Sequence, residues 1–363
     1  MEGSASYADA YPMQGGDGSS SYAKNSAYQK TVVNGTKPMI LDAIAEHLAV
    51  GSNLSKVVIA DLGCSTGPNT FFSVENIIEA LELKYGHGLE FQVFFNDHAA
   101  NDFNILFKTL PVTAKYYAAG VPGSFHGRLF PKSTIHVAHS SYSLQWLSRV
   151  PPEIRDSSCR AWNKGKIFWP GKEKEVIESY LSQYEKDMGA FLDARAKEVV
   201  CGGLVMMSFI VRPNGVLDSG GIMFELLGAC LEDMANEGIF AEEKVDSFNL
   251  PIYFPTIGEV EEILNKNVSF SMEKLEMIEK DPVNMEALTS NVVAGMILAA
   301  LGATMEEHFG CDIVENVRPR FINKIEQNQH LLNQIADRHI DLFILLKRKP
   351  RSLTTCSTLL ISS

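Results

Sequence analysis

The chain has 363 residues, 45% of them hydrophobic and 21% charged, a balance that excludes disordered, collagen-like and disulfide-scaffold classes. With 32 Lys and Arg against 44 Asp and Glu the formal net charge is -12; such a surface repels phosphate backbones, and no basic patch offsets it, so no nucleic-acid partner is expected. Six cysteines show no C-x-x-C pair and no metal-finger spacing, which fits a reducing, cytoplasmic setting.

The first 30 residues are rich in Gly and Ser, and no basic start followed by an apolar run marks a secretory signal or a membrane anchor. From Lys37 to Leu48 apolar residues recur at three and four, the period of an amphipathic helix. Lys56 to Ala60 (KVVIA) has the length and composition of a strand, and it stops at Asp61-Leu62-Gly63-Cys64-Ser65-Thr66-Gly67 before a helical pattern over Phe72 to Leu83. Two further strands, Glu90 to Phe95 and Ser133 to Ala138, run into Asn96-Asp97 and His139-Ser140-Ser141. A long charged helix over Lys172 to Val200 precedes a continuous apolar strand, Gly203 to Val211. This alternation predicts an α/β fold, a Rossmann-like doubly wound sheet whose ligands sit beyond the carboxyl ends of the strands.

From Gly221 to Leu332 the helical period dominates, over Ile222 to Asn236, Thr256 to Asn267, Ala287 to Phe309 and Cys311 to Asn328. Val292 to Leu301 is far shorter than the roughly 20 residues that span a bilayer and reads as a buried helix. Strand signals at Ser269 to Met277 and His339 to Lys347 predict a terminal pair that closes the sheet. The expected units are an arm over 1–30, a core over 31–215, a mostly helical cap with an interleaved strand over 216–335, a terminal core strand over 336–349 and an appended tail over 350–363.

The turn after the first strand lacks the third glycine of G-x-G-x-x-G, and Asp97 lies 34 residues beyond Gly63, so the hydride-transfer fingerprint does not fit. It also lacks the Lys-Ser/Thr ending of a phosphate-binding loop. An acidic residue closing each of the first two strands around a glycine turn suits a cofactor with an amino-acid end, a ribose and no phosphate.

Seven segments then stand in order over roughly 240 residues: MQGGDGSSSYAKNSAYQ (13–29), IADLGCSTGPNT (59–70), FFNDHAANDFNILF (94–107), VPGSFHGRLFP (121–131), HSSYSLQWLSRVP (139–151), WNKGKIF (162–168) and VDSFNLPIYFP (245–255). Together they resemble the plant SABATH methyltransferases. The resemblance implies a class I methyltransferase core with a helical cap, S-adenosyl-L-methionine as methyl donor, S-adenosyl-L-homocysteine as product, a small-molecule carboxylic acid as acceptor, an arm that closes over the active site, and a homodimer with no membrane attachment. Matched motif by motif, it puts Tyr22, Ser26 and Asp61 at the amino-acid end of the cofactor and Cys64 and Asn69 along its loop. Asp97 falls at the ribose, His98, Ser124 and Phe125 at the adenine, and Ser141 at the sulfur. Gln29 and Trp146 match the carboxylate-holding pair, with Tyr142, Gln145, Ile252 and Phe254 around the acceptor; Gln145 replaces the Met or His common there. A magnesium (Mg2+) site would fall on Asn163, Asp246, Asn249 and the carbonyl of Phe248, where oxygen donors suit the ion and a lone carboxylate makes the site weak.

The chemistry implied is methyl-ester formation on an iridoid acid such as loganic acid, a terpenoid acid such as farnesoic acid, or an aromatic acid such as salicylic or benzoic acid. A carboxylic acid is already ionised at neutral pH, so no general base is required. Neutral donors position it without stabilising its charge in the ground state. The alternative within the resemblance is N-methylation of xanthines or nicotinate. A non-catalytic scaffold would be expected to have spoiled Asp61, Gly63, Gly67, Asp97, Gln29 or Trp146, and all are present. The histidines form neither a metal motif nor a catalytic triad; His126, His136, His139, His308 and His330 read as structural.

Overall fold

A computed structural model describes residues 11–16, 18, 21–51, 54–169, 173–213, 219–279, 289–330 and 340–350. Residues 1–10 of the expected arm, the first residues of the helix expected from Ala287, the start of the strand expected from His339 and the tail over 351–363 lie outside the described residues.

Among the described residues seven strands form one sheet: β1 (Lys56–Leu62), β2 (Glu90–Asp97), β3 (Tyr117–Pro122), β4 (Ile135–Ser141), β5 (Val199–Val211), β6 (Phe270–Met277) and β7 (Ile340–Arg348). Their order is β3-β2-β1-β4-β5-β7-β6. The first five run parallel, and β7 lies antiparallel to both β5 and β6. The centre of the sheet is apolar on both faces because helices cover both, so β1 and β5 read as continuous runs rather than alternating ones. The order reverses between β1 and β4, and the crevice beyond their carboxyl ends is where a doubly wound sheet holds its ligand.

On one face α2 (Ala27–His47) and α3 (Asn69–Tyr85) pack Ile40, Ile44, Val74 and Ile77 against Val57 and Ile59. On the other, α5 (Lys174–Glu198) brings Tyr184, Met188 and Phe191 to the sheet. The cap is built from α6 (Ser219–Asn236), α7 (Glu242–Ser247), α8 (Ile257–Lys266), α9 (Ser290–Phe309) and α10 (Ile313–Gln327). α8 starts on a capping box, in which the Thr256 hydroxyl accepts from Glu259 N and the Glu259 carboxylate accepts from Thr256 N. α9 has the length and hydropathy of a membrane span; Leu298, Ala299 and Leu301 are nevertheless fully buried in the fold. It also receives the arm: Gln14 N donates to Ala299 O at 2.9 Å.

Two expectations are corrected. The first helix begins at Ala27 rather than Lys37 and passes through Pro38, because its buried stripe of Tyr28, Val32, Val33, Thr36, Ile40, Ala43 and Ile44 is continuous across the proline. Packing along that stripe outweighs the one hydrogen bond the proline removes. The end of the segment expected as an arm is therefore helical, with α1 (Tyr22–Asn25) directly before α2. Strand β3 was not foreseen: it is a half-exposed edge strand with no apolar run to announce it.

One buried ion pair shapes the wall of the crevice. Arg195 and Glu198 on α5 meet at 2.6 Å with side chains 1% and 0% exposed. Glu198 Oε1 accepts from Leu129 N and Phe130 N, while Arg195 donates to Phe125 O and Gly127 O. The pair thus pins the 121–131 segment, and with it the Phe125 ring, to α5. Replacing one partner leaves the other charged and buried without compensation. Arg195→Met is therefore expected to lower unfolding stability by about 3–5 kcal/mol, with the double Arg195→Met, Glu198→Met variant losing less than the sum of the two single changes; equilibrium denaturant unfolding of the three variants checks both.

Candidate active site

The β1–α3 loop is tied to the neighbouring strand by its own backbone. Gly63 N and Cys64 N both donate to Asn96 O, at 2.8 and 2.9 Å, and Ser65 N donates to Asp97 Oδ2 at 2.7 Å. Gly63 has φ +81, and a Cβ there would stand 2.0 Å from Ser143 Oγ, so only glycine permits the approach of the β4 loop. Asp61 is fixed by His139, whose Nδ1 lies 2.6 Å from Oδ1, and by the Thr70 hydroxyl on Oδ2.

Two adjoining hollows open over this loop. The first is bounded by Tyr22, Gln29, Asp61, Gly63, Cys64, Asn69 and Ser141. The second takes in Tyr11, Met13, Asp97, His98, Phe125, Ser141 and Trp146. The Asp97 carboxylate is oriented by the amides of Ser65 and His98, each at 2.7 Å; burial pushes its pKa up, against those two hydrogen bonds. Burial also pushes the Cys64 thiol and the Tyr22 phenol up, with Asp97 adding to both, so the thiol is inert and the phenol remains a donor at neutral pH. Neither hollow is lined by Lys or Arg, as suits a cofactor without phosphates.

A third cavity, of about 150 Å³, adjoins them. Gln29, Tyr142, Gln145, Trp146, Ile252 and Phe254 all line it, together with Met13, Tyr28, Ile210, Phe224 and residues of α9, and none of the lining residues is charged. Tyr22 and Gln29 border both this cavity and the first hollow; Tyr142 and Trp146 border both it and the second. Gln29 Oε1 is buried with no partner. Trp146 is placed by a bridge to Ile252, flanked by hydrogen bonds from Leu147 N to Pro251 O and from Tyr253 N to Gln145 O. Its ring stacks on Tyr11 of the arm with centroids 6.3 Å apart.

Ser26 and Ser124 do not line the hollows. Ser26 accepts the Asn69 amide on both its carbonyl and its hydroxyl at 3.0 Å, locking the arm to the loop. The Ser124 hydroxyl accepts from His126 N within its own turn. The structure also adds residues that the sequence alone did not single out. Asp341, 1% exposed at the start of β7, accepts from the hydroxyls of Tyr28, at 2.5 Å, and Tyr142. Burial is the main cause, and Asp341 a further one, that drives both phenols well above their ordinary range, so they remain protonated donors. An acidic residue inside the apolar run IDLFILL was the available signal.

Asn163, Asp246, Phe248 and Asn249 are also neighbours, and several of their polar atoms bond within the group or to the adjoining loop. Asn163 Nδ2 donates to Asn249 Oδ1 at 2.9 Å and to Phe168 O, Asp246 Oδ1 accepts from Gly165 N at 2.8 Å, and Asn249 Nδ2 donates to Asp246 O. The group offers oxygen donors with a single carboxylate, a weak set for magnesium. The same bonds join the 163–168 loop to the end of α7.

Comparison with known proteins agrees with this geometry. Residues 8–349 match the family described as SAM dependent carboxyl methyltransferase. The chain belongs to the SABATH methyltransferases. Loganic acid O-methyltransferase of Catharanthus roseus is 42% identical over 94% of this chain and 95% of its own length. Farnesoic acid carboxyl-O-methyltransferase of Arabidopsis thaliana is 42% identical over 90% and 94%. A paraxanthine methyltransferase of Arabidopsis thaliana is 38% identical over 83% and 88%. The solved structure of a loganic acid methyltransferase with S-adenosylhomocysteine superposes with a TM-score of 0.90 at 41% identity, over 94% of this chain and 99% of that one. This SABATH chain is thus an S-adenosylmethionine-dependent methyltransferase, and its sheet is the class I methyltransferase sheet.

Asp97→Ala removes a charged acceptor from the second hollow. It is expected to weaken S-adenosylhomocysteine binding by about 1.5–3 kcal/mol, roughly ten- to hundredfold, as read by titration calorimetry.

Proposed function

We propose that this enzyme esterifies the carboxylate of a small plant organic acid, an iridoid, terpenoid or aromatic acid, with a methyl group. The observation that carries the proposal is the uncharged acceptor cavity in which Gln29 and Trp146 stand together beside the cofactor hollows. S-adenosylmethionine would supply an electrophilic methyl on a sulfonium, which the acceptor oxygen would take in line as the carbon–sulfur bond breaks and S-adenosylhomocysteine leaves.

The residues have only to position and desolvate the acceptor. Gln29, bordering both spaces, offers its amide N–H to the carboxylate and its oxygen toward the cofactor's amino-acid end, while the Trp146 indole N–H takes the other carboxylate oxygen. An Arg in their place would hold the acid more tightly and lower its nucleophilicity, raising the barrier it must cross. Tyr11 and Met13 of the arm border the second hollow and exclude water from it. The Phe224, Ile252 and Phe254 wall takes the acid's apolar body. Asp97 accepts from the ribose, with Phe125 and His98 beside the adenine. The relatives named for loganic and farnesoic acids support the carboxylate reading, and the one named for paraxanthine keeps ring nitrogen as the competing acceptor. Cytoplasmic residence and a homodimer belong to the same proposal; the five described cysteines, all free, support the former.

Trp146 borders the second hollow as well as the acceptor cavity, so truncating it would disturb both. Trp146→Phe keeps an aromatic ring against Tyr11 while removing the indole N–H. With labelled methyl donor and a panel of acids, the parent enzyme is expected to form methyl esters, and the variant to lose roughly ten- to hundredfold in kcat/KM, about 1.5–3 kcal/mol of a hydrogen bond to a charged group, at unchanged S-adenosylhomocysteine affinity. Methylation of theobromine or nicotinate with no ester from any acid would favour the nitrogen reading.

A further inference from the structure

Gln145 is 7% exposed and lines the acceptor cavity. Its Nε2 donates to Tyr142 O at 2.8 Å; because a carbonyl can only accept, this bond fixes which end of the amide is nitrogen. Its Oε1 is left buried with no hydrogen-bond partner. A buried acceptor without a donor is costly in an otherwise apolar pocket, and such groups are kept where a ligand completes them.

The possible donors can be taken in turn. Of the donors in the cavity wall, the hydroxyls of Tyr28 and Tyr142 are both turned to Asp341, the N–H groups of Gln29 and Trp146 serve the carboxylate in the proposed function, and Tyr22 borders both cofactor hollows as well. Gln145 borders neither cofactor hollow, which removes the ammonium, ribose and adenine groups of the cofactor. The reacting carboxylate is ionised and has no proton to give, so it repels a carbonyl oxygen instead of satisfying it. What remains is a donor on the body of the acceptor molecule, away from the carboxylate.

We propose that Gln145 Oε1 is a specificity contact, and that the acid esterified by this enzyme carries a hydroxyl group that donates to it. The inference rests on the carboxyl-methyltransferase reading and narrows its substrate class from small organic acids in general to hydroxylated ones. A site built to bond a hydroxyl rejects the analogue that lacks it more strongly than an apolar pocket rejects a change of size.

The test uses matched pairs of acids: loganic and 7-deoxyloganic acid, a terminally hydroxylated farnesoic acid and farnesoic acid, and the three hydroxybenzoic acids with benzoic acid. In the full chain, at least one hydroxylated acid is expected to exceed its parent by about tenfold or more in kcat/KM. In Gln145→Met, of similar shape and without the acceptor, that ratio is expected to fall to near one, with S-adenosylhomocysteine affinity as the check that the variant is folded. Should the variant not fold, the ratio in the parent enzyme decides. Esters formed with no preference for any hydroxylated member, or a preference that survives in Gln145→Met, would overturn the inference and leave the carboxyl reading standing; ester formation from no acid at all would overturn both.

Discussion

The site depends on three backbone amides and the strand they grip. Gly63 N and Cys64 N on Asn96 O, and Ser65 N on the Asp97 carboxylate, hold the β1–α3 loop against the end of β2. Those bonds settle where the two hollows lie, how the Asp97 oxygens point, and how closely the β4 loop carrying Ser143 can approach Gly63. They tie the loop to β2 without help from any charged loop side chain, so the bed is formed before a ligand arrives, as preorganised sites require.

From that bed the acceptor cavity follows by sharing walls. Gln29 and Tyr22 come from the arm and the first turn of α2, Tyr142 and Trp146 from the loop after β4, and each borders the acceptor cavity and one of the hollows. The arm is anchored by Asn69 on Ser26, by Ala299 on Gln14 and by Trp146 on Tyr11. Strand β7 contributes to positioning as well as to the sheet. Asp341 draws the Tyr28 and Tyr142 hydroxyls out of play, so the polarity facing the acceptor comes from Gln29, Gln145 and Trp146, groups whose neutrality leaves the nucleophile its charge.

Much of this was legible in the chain. The strand, glycine turn and helix around Asp61 to Asn69 announced the loop under the first hollow, and the ordered motifs gave six residues, proposed to hold the acceptor, that the fold does bring into one cavity. The rest was hidden for identifiable reasons. Strand β3 buries too little to leave a hydrophobic run. The apolar period was read only from Lys37, because local pattern carries no knowledge of the packing that continues the stripe back to Tyr28. The contact between Tyr28 and Asp341 spans 313 positions, a separation that periodicity does not see. Ser26 and Ser124 sit in the motifs that named them, where their hydroxyls accept from the Asn69 amide and from His126 N. The Asn163 and Asn249 amides likewise bond each other.

The central claim is that neutral donors hold an ionised acid behind the methyl group. A crystal structure of the enzyme with S-adenosylhomocysteine and a turned-over acid tests it most directly. The expected result is one carboxylate oxygen within about 3.2 Å of Gln29 Nε2 and the other equally near Trp146 Nε1, with the reactive oxygen facing the sulfur. A carboxylate bound elsewhere, or gripped by an Arg or Lys, would contradict it.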